Sequence, residues 1–398
     1  GAYLMGIINR VRGILWARVA KVNGIAKARI ARMDAEQPSS DSPGDTFRAA
    51  LMVGNGGYIE WNTGSLDNDD HWHRLDFSGD VYRDVTWGYD ENGTECWLIS
   101  TNKTGRPLIV AKSDGSDNWV PSGSSNWVNI KPTGGPWPGT WNFRGYRCGR
   151  GDHTNNNRAT FMMGAMNNSI LSTYVTGGIT DSANWSQQYR GFDSSGTNSA
   201  IYGLVWNRES SDSDSIFALT IGADVWMSTN GTGSGDNGDW QMVFQSPGSS
   251  VTQMWNLQYG NDVWVGGGTN AQGKGNLTGS GAGTGSWGHF NRPANRGMRG
   301  AATNMSGNWV MGGNDGYIWY SADDAATWSE VRVPENDGGS TYRDWYDVAY
   351  DNNETWVACG ERAYAVSTDN GQTWTSSNGL AGNATYNAIA FNVTNTSQ

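Results

Sequence analysis

The most informative stretch of the chain is the octet STDNGQTW, residues 367–374. It places serine, aspartate, glycine, threonine and tryptophan in the pattern S-x-D-x-G-x-T-W, and looser copies of it recur upstream. Because the same local pattern returns many times, the sequence indicates one structural unit that is repeated along the chain. The copies are SLDNDDHW (65–72), KSDGSDNW (112–119), GITDSANW (178–185), STNGTGSGDNGDW (228–240), SGAGTGSW (280–287) and SADDAATW (321–328).

Each copy ends in a tryptophan, and consecutive tryptophans lie 41 to 66 residues apart. They are Trp72, Trp119, Trp185, Trp240, Trp287, Trp328 and Trp374. Short apolar runs of strand length precede each one, separated by Gly or Asn-Asp turns, as in YDVAY (346–350) and TWVACG (355–360). This period and these runs predict β-propeller blades of four antiparallel strands, with the fourth strand opening at the tryptophan.

The two ends of the repeated region complement each other. The first unit begins directly with a second strand at residue 48, and the last unit is followed by the extra run YNAIAF (386–391). We predict that this last strand completes the first blade, because closure of a ring removes exposed sheet edges. The expected fold is all-β: a seven-bladed propeller over residues 47–398, after a basic segment (1–35) and a linker (36–46).

The octet resembles the Asp-box, a turn motif of sialidase-type propellers. In such a turn the aspartate accepts backbone hydrogen bonds, glycine supplies an unusual backbone angle, and tryptophan buries apolar surface between blades. We therefore assign structural roles to the matching residues of four copies. These are Ser65, Asp67, Trp72, Asp114, Trp119, Ser321, Asp323, Trp328, Ser367, Asp369, Gly371 and Trp374.

The same resemblance raises the question of enzymatic activity. Sialidases require an arginine cluster, a Tyr–Glu pair, an acidic aspartate and an early Arg-Ile-Pro-like motif, whereas the start of this ring offers only FRAAL (47–51). We therefore expect no catalytic residues and a non-enzymatic protein. A glycan-acting hydrolase on the same propeller is the alternative.

Charge and composition exclude several other classes. The net charge is −11, but residues 1–33 hold seven Arg or Lys and no acid, which leaves 20 basic against 38 acidic residues in the rest. Such an acidic body disfavours nucleic-acid binding. The three cysteines suggest no zinc spacing, and neither His71 with His73 nor the acidic stretch 67–76 matches a known metal motif. We expect no metal and no cofactor, with a weak calcium site left open.

The long interval before Trp185 contains a Pro/Gly-rich stretch with three further tryptophans, Trp127, Trp137 and Trp141. Exposed aromatic rings stack on sugars and anchor interfaces, so these residues are the candidates for binding a glycan or a partner. The alternative is that they fold back onto the ring.

The first 35 residues have a different character from the rest. ARVAKVNG (17–24) returns as ARIARMDA (28–35), an offset of eleven that suits a basic amphipathic helix, whereas Asn23-Gly24 suits a hairpin. Both remain open, as does a helix at a membrane surface. The cationic residues that would form an anchor are Arg10, Arg12, Arg18, Lys21, Lys27, Arg29 and Arg32.

This segment resembles the N-terminal parts of virion structural proteins of tailed phages, particularly marine ones. The resemblance implies that residues 1–46 bind other virion proteins within an oligomeric assembly, while the propeller faces outward for decoration or for adhesion to host glycans. The expected localisation is the phage particle. A propeller that resembles a photosystem assembly factor is a further alternative.

Overall fold

The structure is a computed structural model, which describes residues 49–392 with gaps. The described ranges are 49–64, 66, 71–77, 79–113, 120–121, 123–132, 144–155, 157–166, 170–189, 200–208, 216–222, 224–232, 240–244, 253–269, 272–276, 286–288, 297–334, 342–378 and 384–392. Residues Phe47–Asn392 belong to one compact unit. The predicted basic segment and linker lie outside the described residues.

The described residues form short antiparallel strands, which follow one another in groups. The first are β1 (Ala49–Gly54), β2 (Tyr58–Asn62), β3 (Trp72–Asp76), β4 (Tyr82–Tyr89), β5 (Glu95–Thr101), β6 (Leu108–Lys112) and β7 (Val128–Ile130). Next come β8 (Arg144–Arg150), β9 (Phe161–Met166), β10 (Ile170–Tyr174), β11 (Trp185–Tyr189), β12 (Ile201–Trp206), β13 (Phe217–Ile221), β14 (Asp224–Ser228) and β15 (Gln241–Phe244).

The remaining strands complete the set. They are β16 (Gln253–Met254), β17 (Gln258–Gly260), β18 (Val263–Thr269), β19 (Gln272–Asn276), β20 (Ser286–Gly288), β21 (Met298–Thr303), β22 (Trp309–Gly313), β23 (Tyr317–Ser321) and β24 (Ser329–Arg332). The last group is β25 (Trp345–Tyr350), β26 (Trp356–Gly360), β27 (Tyr364–Ser367), β28 (Thr375–Ser377) and β29 (Tyr386–Asn392).

These strands pair into blades of a β-propeller. Six sheets of the described chain have four strands each, in the orders β29-β1-β2-β3, β4-β5-β6-β7, β8-β9-β10-β11, β12-β13-β14-β15, β21-β22-β23-β24 and β25-β26-β27-β28. The first strand of each sheet is its innermost. Contacts between innermost strands run through β29, β4, β8, β12, β17, β21 and β25 and return to β29, so they surround a central channel.

In its described residues the structure has six four-stranded blades, so the predicted count of seven such blades is wrong. In the sheet around β18, the inner edge consists of two short strands, β16 and β17, which both pair with β18. The pairing breaks because the backbone N–H groups of Trp255 and Asn256 both donate to the carbonyl of Gly267, at 2.9 and 3.2 Å. Two residues thus oppose one, as in a β-bulge, and the inner strand is divided there.

The predicted closure by the C-terminal strand is confirmed. Strand β29 pairs antiparallel with β1, and Leu51 lies opposite Ala390. The buried hydroxyl of Tyr386 donates to Glu60 Oε2 at 2.8 Å, which holds the last strand to the first blade by a side-chain contact as well. The first blade is therefore built from both ends of the described chain.

Two copies of the octet, at 321–328 and 367–374, form turns closed by side-chain hydrogen bonds. In the last copy the backbone N–H of Thr373 donates to Asp369 Oδ1 at 2.8 Å, and that of Gly371 donates to Ser367 Oγ at 3.0 Å. The equivalent bond from Thr327 to Asp323 Oδ1 is also 2.8 Å. The Thr327 hydroxyl is the main cause that lowers the pKa of Asp323 to about 2. The carboxylate therefore closes the turn in its charged form.

Tryptophans at the start of the outer strands pack between neighbouring sheets. Trp185 is fully buried in a cluster with Phe161 and Met163, and its indole N–H donates to the carbonyl of Ile179 at 2.9 Å. Burial of such a ring contributes roughly 2–3 kcal/mol. Trp72, Trp240 and Trp328 are also buried, and Trp287 and Trp374 are partly buried against adjacent clusters.

In the second blade this position belongs to Trp127, and not to Trp119 as predicted. Strand β7 starts at Val128, directly after Trp127, whose ring is only 4% exposed. The indole N–H of Trp127 donates to the carbonyl of Pro121 at 3.0 Å, matching the bond from Trp185. The structural tryptophans then follow at intervals of 55, 58, 55, 47, 41 and 46 residues, more regular than the predicted set.

Candidate functional site: the mouth of the central channel

The inner strands share an irregularity close to their first residue. In the six four-stranded sheets, the register skips a residue where the inner strand pairs with the next strand, for example between Tyr82 and Asp84 and between Trp345 and Asp347. A β-bulge of this kind turns the skipped side chain out of the regular alternation. The skipped residues of the six four-stranded sheets are Arg83, Tyr146, Tyr202, Arg299 with Gly300, Tyr346 and Asn387.

These bulges converge on one cavity at an end of the channel, which we call the mouth. The cavity has a volume of about 290 Å³, at the lower limit of the ~300–1,000 Å³ that is common for small-molecule sites. Besides five of the bulge residues, its lining includes Trp255 from the divided inner strand of the irregular sheet. The lining residues are Asn55, Arg83, Tyr146, Arg147, Trp255, Arg299, Tyr346, Glu361, Thr385 and Asn387.

Arg299 holds two of the aromatic rings in place. Its guanidinium carbon lies 4.5 Å from the ring centroids of both Trp255 and Tyr346. Its Nε donates to Asn314 Oδ1 at 2.8 Å, and its Nη2 is 3.0 Å from Asp344 Oδ2. Because both its charge and its plane are fixed, Arg299 presents the two rings as a preformed aromatic wall.

The rest of the wall is polar and aromatic. The Tyr346 hydroxyl donates to Glu361 Oε1 at 2.9 Å, and burial raises the pKa of Tyr346 so that it remains a neutral donor. Tyr146 stands edge-on to Tyr202, with ring centroids 5.2 Å apart. Arg83 lies over Tyr146, 5.9 Å from its centroid, and Arg83 Nε is buried with no hydrogen-bond partner among the described residues. The mouth therefore offers ring faces next to hydrogen-bonding groups.

The floor of the mouth contains two carboxylates and one guanidinium. Arg147 Nη1 is 3.5 Å from Asp84 Oδ1, and Arg147 also donates to the backbone carbonyls of Tyr202 and Trp255 at 2.6 and 2.8 Å. Asp347 Oδ2 accepts the backbone N–H of Ile389 at 3.0 Å. Beneath the cavity these bonds join β8 to β4, to β12 and to the backbone at Trp255, and they join β25 to β29.

Both carboxyl groups of the floor have a raised pKa, and burial is the main cause for Asp84 as well as for Asp347. Burial and then the neighbouring Asp84 raise the pKa of Asp347 to about 7, against the opposing effect of Arg147. Gly300 permits this packing, since a methyl group on Gly300 would come within 2.1 Å of Asp347 Oδ1. The floor therefore becomes more negative as the pH rises through the pKa of Asp347.

The structure gives a different account of the predicted binding residues. Trp127 is a buried structural residue whose ring also packs edge-on to Phe77 at 6.5 Å, which argues against its predicted role as an exposed binding ring. Trp137 and Trp141 lie outside the described residues, in the segment that leads into β8 and Tyr146. Ser65, Asp67, Asp114, Trp119 and the seven basic anchor residues also lie outside the described part of the chain.

The residues of the mouth were not predicted from the sequence, although a signal for them exists. Runs such as RDVTW (83–87), YGLVW (202–206), RGAAT (299–303) and YDVAY (346–350) each begin with the bulge residue. Aligned, they show an apolar pattern shared after the first position, and a first position that changes between Arg and Tyr. A position that changes its residue type while the rest of the strand pattern is kept indicates a residue that is not required by the fold.

The described residues contain neither a metal-binding cluster nor a membrane-spanning helix. None of them form a group of three or more His, Cys, Asp or Glu that could hold a metal ion, and His73 packs against Trp61 with ring centroids 5.6 Å apart. Within those residues, no helix has the length and apolar character needed to cross a membrane.

Comparisons with known proteins support the fold alone. No protein-family model matches the chain, and no curated protein matches its sequence. Among solved structures, Sqt1 of Saccharomyces cerevisiae matches with a TM-score of 0.51 and 10% identity, over 85% of this chain and 84% of Sqt1. YCF48 from Cyanidioschyzon merolae matches with a TM-score of 0.48 and 11% identity, over 77% of this chain and 87% of YCF48. The similarity to Sqt1 shows a β-propeller.

Proposed function

We propose that this chain is a non-enzymatic, seven-bladed Asp-box propeller that binds a carbohydrate at the mouth, and that residues 1–46 anchor it to a tailed-phage particle. The single observation that carries the binding proposal is the set of bulges. One backbone irregularity, repeated from sheet to sheet, directs different polar and aromatic side chains into the same cavity. A purely structural irregularity would not need such varied side chains.

The seventh blade is the irregular sheet built on β18. Its inner strand β17 takes its place between β12 and β21 in the circuit of inner strands, and Trp287 occupies the position of the closing tryptophan on β20. We regard the division of its inner edge at Trp255 as a local change that places an indole in the mouth, and not as the loss of a blade.

A sugar suits the mouth because of the chemistry of its walls. Tyr346 and Trp255 supply ring faces for stacking on the apolar side of a pyranose, while Asn387 and Glu361 supply hydrogen-bonding groups for hydroxyls. The cavity is small, so one or two terminal sugar residues would fill it. Host surface glycans present such termini to a virus particle.

Attachment to a virion rests on the division of charge. Seven cationic residues and no acids lie in residues 1–33, ahead of a body with a large excess of acids. A cationic segment can bind acidic neighbours in a particle while the acidic body keeps the surface soluble. Cross-linking mass spectrometry of intact particles tests this: links from Lys21 and Lys27 to another virion protein support it, and absence of the chain from purified particles contradicts it.

The binding proposal is tested with an array of bacterial surface polysaccharides. Wild-type protein should bind a subset of glycans, and the double variant Y146A/Y346A should lose that binding. Y58A/Y317A is the matched control, because both residues also stack with arginines, Arg74 and Arg332, but lie outside the mouth lining. No glycan bound by wild type, or equal binding by Y146A/Y346A, would contradict the proposal.

A glycan-acting hydrolase is the second candidate, and one observation favours it. Asp347 combines a pKa of about 7 with a position beneath the cavity, properties suited to a general acid. Release of reducing sugar from the array-positive glycan by wild type, abolished in D347N, would establish this alternative in place of the non-enzymatic proposal.

A further inference from the structure

The opposite end of the channel carries a second concentration of unusual side chains. Three inner strands approach closely there: a methyl group on Gly88 would lie 3.1 Å from Arg150 Cβ, and one on Gly149 would lie 3.1 Å from Leu204 Cβ. Arg150 ends β8, and Arg208 follows β12 by two residues. The close packing of these strands therefore brings the two arginines to the same end of the channel.

An aromatic and an imidazole ring border the arginines. The rings of Tyr89, at the end of β4, and His153 have centroids 5.0 Å apart. Burial, and then the charge of the exposed Arg208, lower the pKa of Arg150. Two like charges held together in this way repel each other, so the fold tolerates an electrostatic cost at this point.

Among the described residues, two carboxylates at this end of the channel are already paired with other cations. Asp152 is 3.0 Å from Arg158 Nη1, and Asp90 is 2.8 Å from Lys112 Nζ, so each already has a cationic partner. In the described part of the chain, neither Arg150 nor Arg208 forms an ion pair with a carboxylate. Arg150 Nη2 is buried there with no hydrogen-bond partner at all.

The backbone at Arg208 is also strained. Its φ of 64° lies in the left-handed region, which costs a residue with a side chain about 1 kcal/mol relative to glycine. A glycine at this position would relieve that strain and would remove one of the two repelling charges. Arginine is therefore the less stable choice at this site for both reasons.

We propose that Arg150 and Arg208 form an anion site for a tetrahedral dianion, phosphate or sulfate, at the end of the channel opposite the mouth. Such an anion supplies acceptor oxygens to both guanidinium groups and neutralises both charges at once. One of its oxygens would accept a hydrogen bond from Arg150 Nη2, which has no partner among the described residues. The source is either the free ion or a phosphate or sulfate ester of a larger ligand, and this site is independent of glycan binding at the mouth.

The test compares thermal unfolding and isothermal titration at pH 7 in sodium phosphate, sodium sulfate and sodium chloride of equal ionic strength. Wild type should bind phosphate or sulfate, and its Tm should rise by several degrees relative to chloride, since a ligand bound only by the folded state stabilises it. Glucose 6-phosphate and glucose 6-sulfate then show whether an ester binds more tightly than the free ion.

Three variants make the result specific. R150Q should weaken anion binding at least tenfold, whereas R144Q, which removes a cation from the exposed opposite end of the same strand, should leave it unchanged. R208G should lose anion binding and yet have a higher Tm than wild type in chloride. The proposal is wrong if wild type responds equally to all three salts, or if R208G or R150Q binds the anions as wild type does. R208G decides the matter should R150Q fail to fold.

Discussion

The mouth lies where the inner strands begin, and the octet turns follow the ends of the third strands, so antiparallel pairing puts the two on opposite faces. These two faces use repetition in opposite ways. On the face of the octet turns, Asp323 and Asp369 occupy the same position in two blades and make the same hydrogen bonds. At the mouth, the bulge also repeats, but it presents Arg83 in one blade and Tyr346 in another. In the turns, the same residue type recurs with the same backbone shape, which indicates a structural role. At the bulges, the backbone shape recurs but the residue type changes from blade to blade, which makes these residues the candidates for function.

The comparison predicts opposite pH dependences for the two faces. Asp347, with its pKa raised to about 7 from 3.8, binds its proton more tightly in the folded chain, so its contribution to stability is greatest below about pH 4 and is lost as pH rises to 7. Asparagine does not titrate, so D347N should escape this loss. Between pH 4 and pH 8, its free energy of unfolding should gain about 2 kcal/mol relative to that of wild type, after allowance for screening by solvent. Urea unfolding at both pH values measures this.

Asp323 supplies the counterpart on the turn face. Its pKa is lowered to about 2, so the stability it contributes is present above about pH 4 and is lost as pH falls towards 2. D323N should flatten the acid limb of the stability curve and leave the neutral region unchanged. For the mouth, the contrary result would be the same pH dependence of the free energy of unfolding in D347N and in wild type. It would show that burial of Asp347 does not cost stability at neutral pH.

A turn residue should affect stability without affecting binding. D369A removes the acceptor for the N–H and the hydroxyl of Thr373 and should lower the free energy of unfolding by about 1.5 kcal/mol. Its affinity for a glycan identified on the array should stay within twofold of wild type. A large loss of affinity at unchanged stability would break the division between the two faces.

A mouth residue should show the reverse. R299M keeps an apolar side chain between Trp255 and Tyr346 but removes the charge that orients both rings. We expect about tenfold weaker glycan binding, equivalent to about 1.4 kcal/mol, because the aromatic wall loses its order. Titration calorimetry measures the affinity. Unfolding in urea should change less than for D369A.

The smallest expected effects come from the glycine position of the turn. Gly371 has a φ of 82°, and a methyl group on it would approach Val310 Cγ2 to 2.7 Å, so G371A should destabilise by about 1 kcal/mol. The equivalent Ala325 is already left-handed at 58°, and A325G should change stability by less than about 1 kcal/mol, because relief of strain offsets the lost buried methyl. A large loss in A325G would contradict this reading of the turn.

The sequence was sufficient for the features that depend on local repetition. The strand runs, the turns at Asp323 and Asp369 and the closure by residues 386–391 follow from patterns within a few residues, and the structure has them. Trp127 was missed because KSDGSDNW (112–119) matches the octet better than GSSNWV (123–128) does. The position of the outer strand β7, which decides between the two, is set by packing.

Variation at the first position of the aligned runs indicates the bulge residues, but their meeting in one cavity depends on the geometry of the whole ring. A bulge leaves no fixed residue type in the sequence, and the residues that meet in the cavity lie far apart along the chain, from Asn55 to Asn387. The division of the inner strand at Trp255 was hidden for the same reason. Two N–H groups that share the carbonyl of Gly267 are a property of pairing, not of composition.

The most direct measurement is a paired titration and urea unfolding of Y146A/Y346A and D369A, with the strongest glycan from the array. The separation of roles predicts that Y146A/Y346A loses binding while its free energy of unfolding stays within about 1 kcal/mol of wild type. It also predicts that D369A loses stability while it binds normally. If affinity and stability fall together in both variants, the mouth and the turns are not separate, and the assignment of function to the bulge residues is wrong.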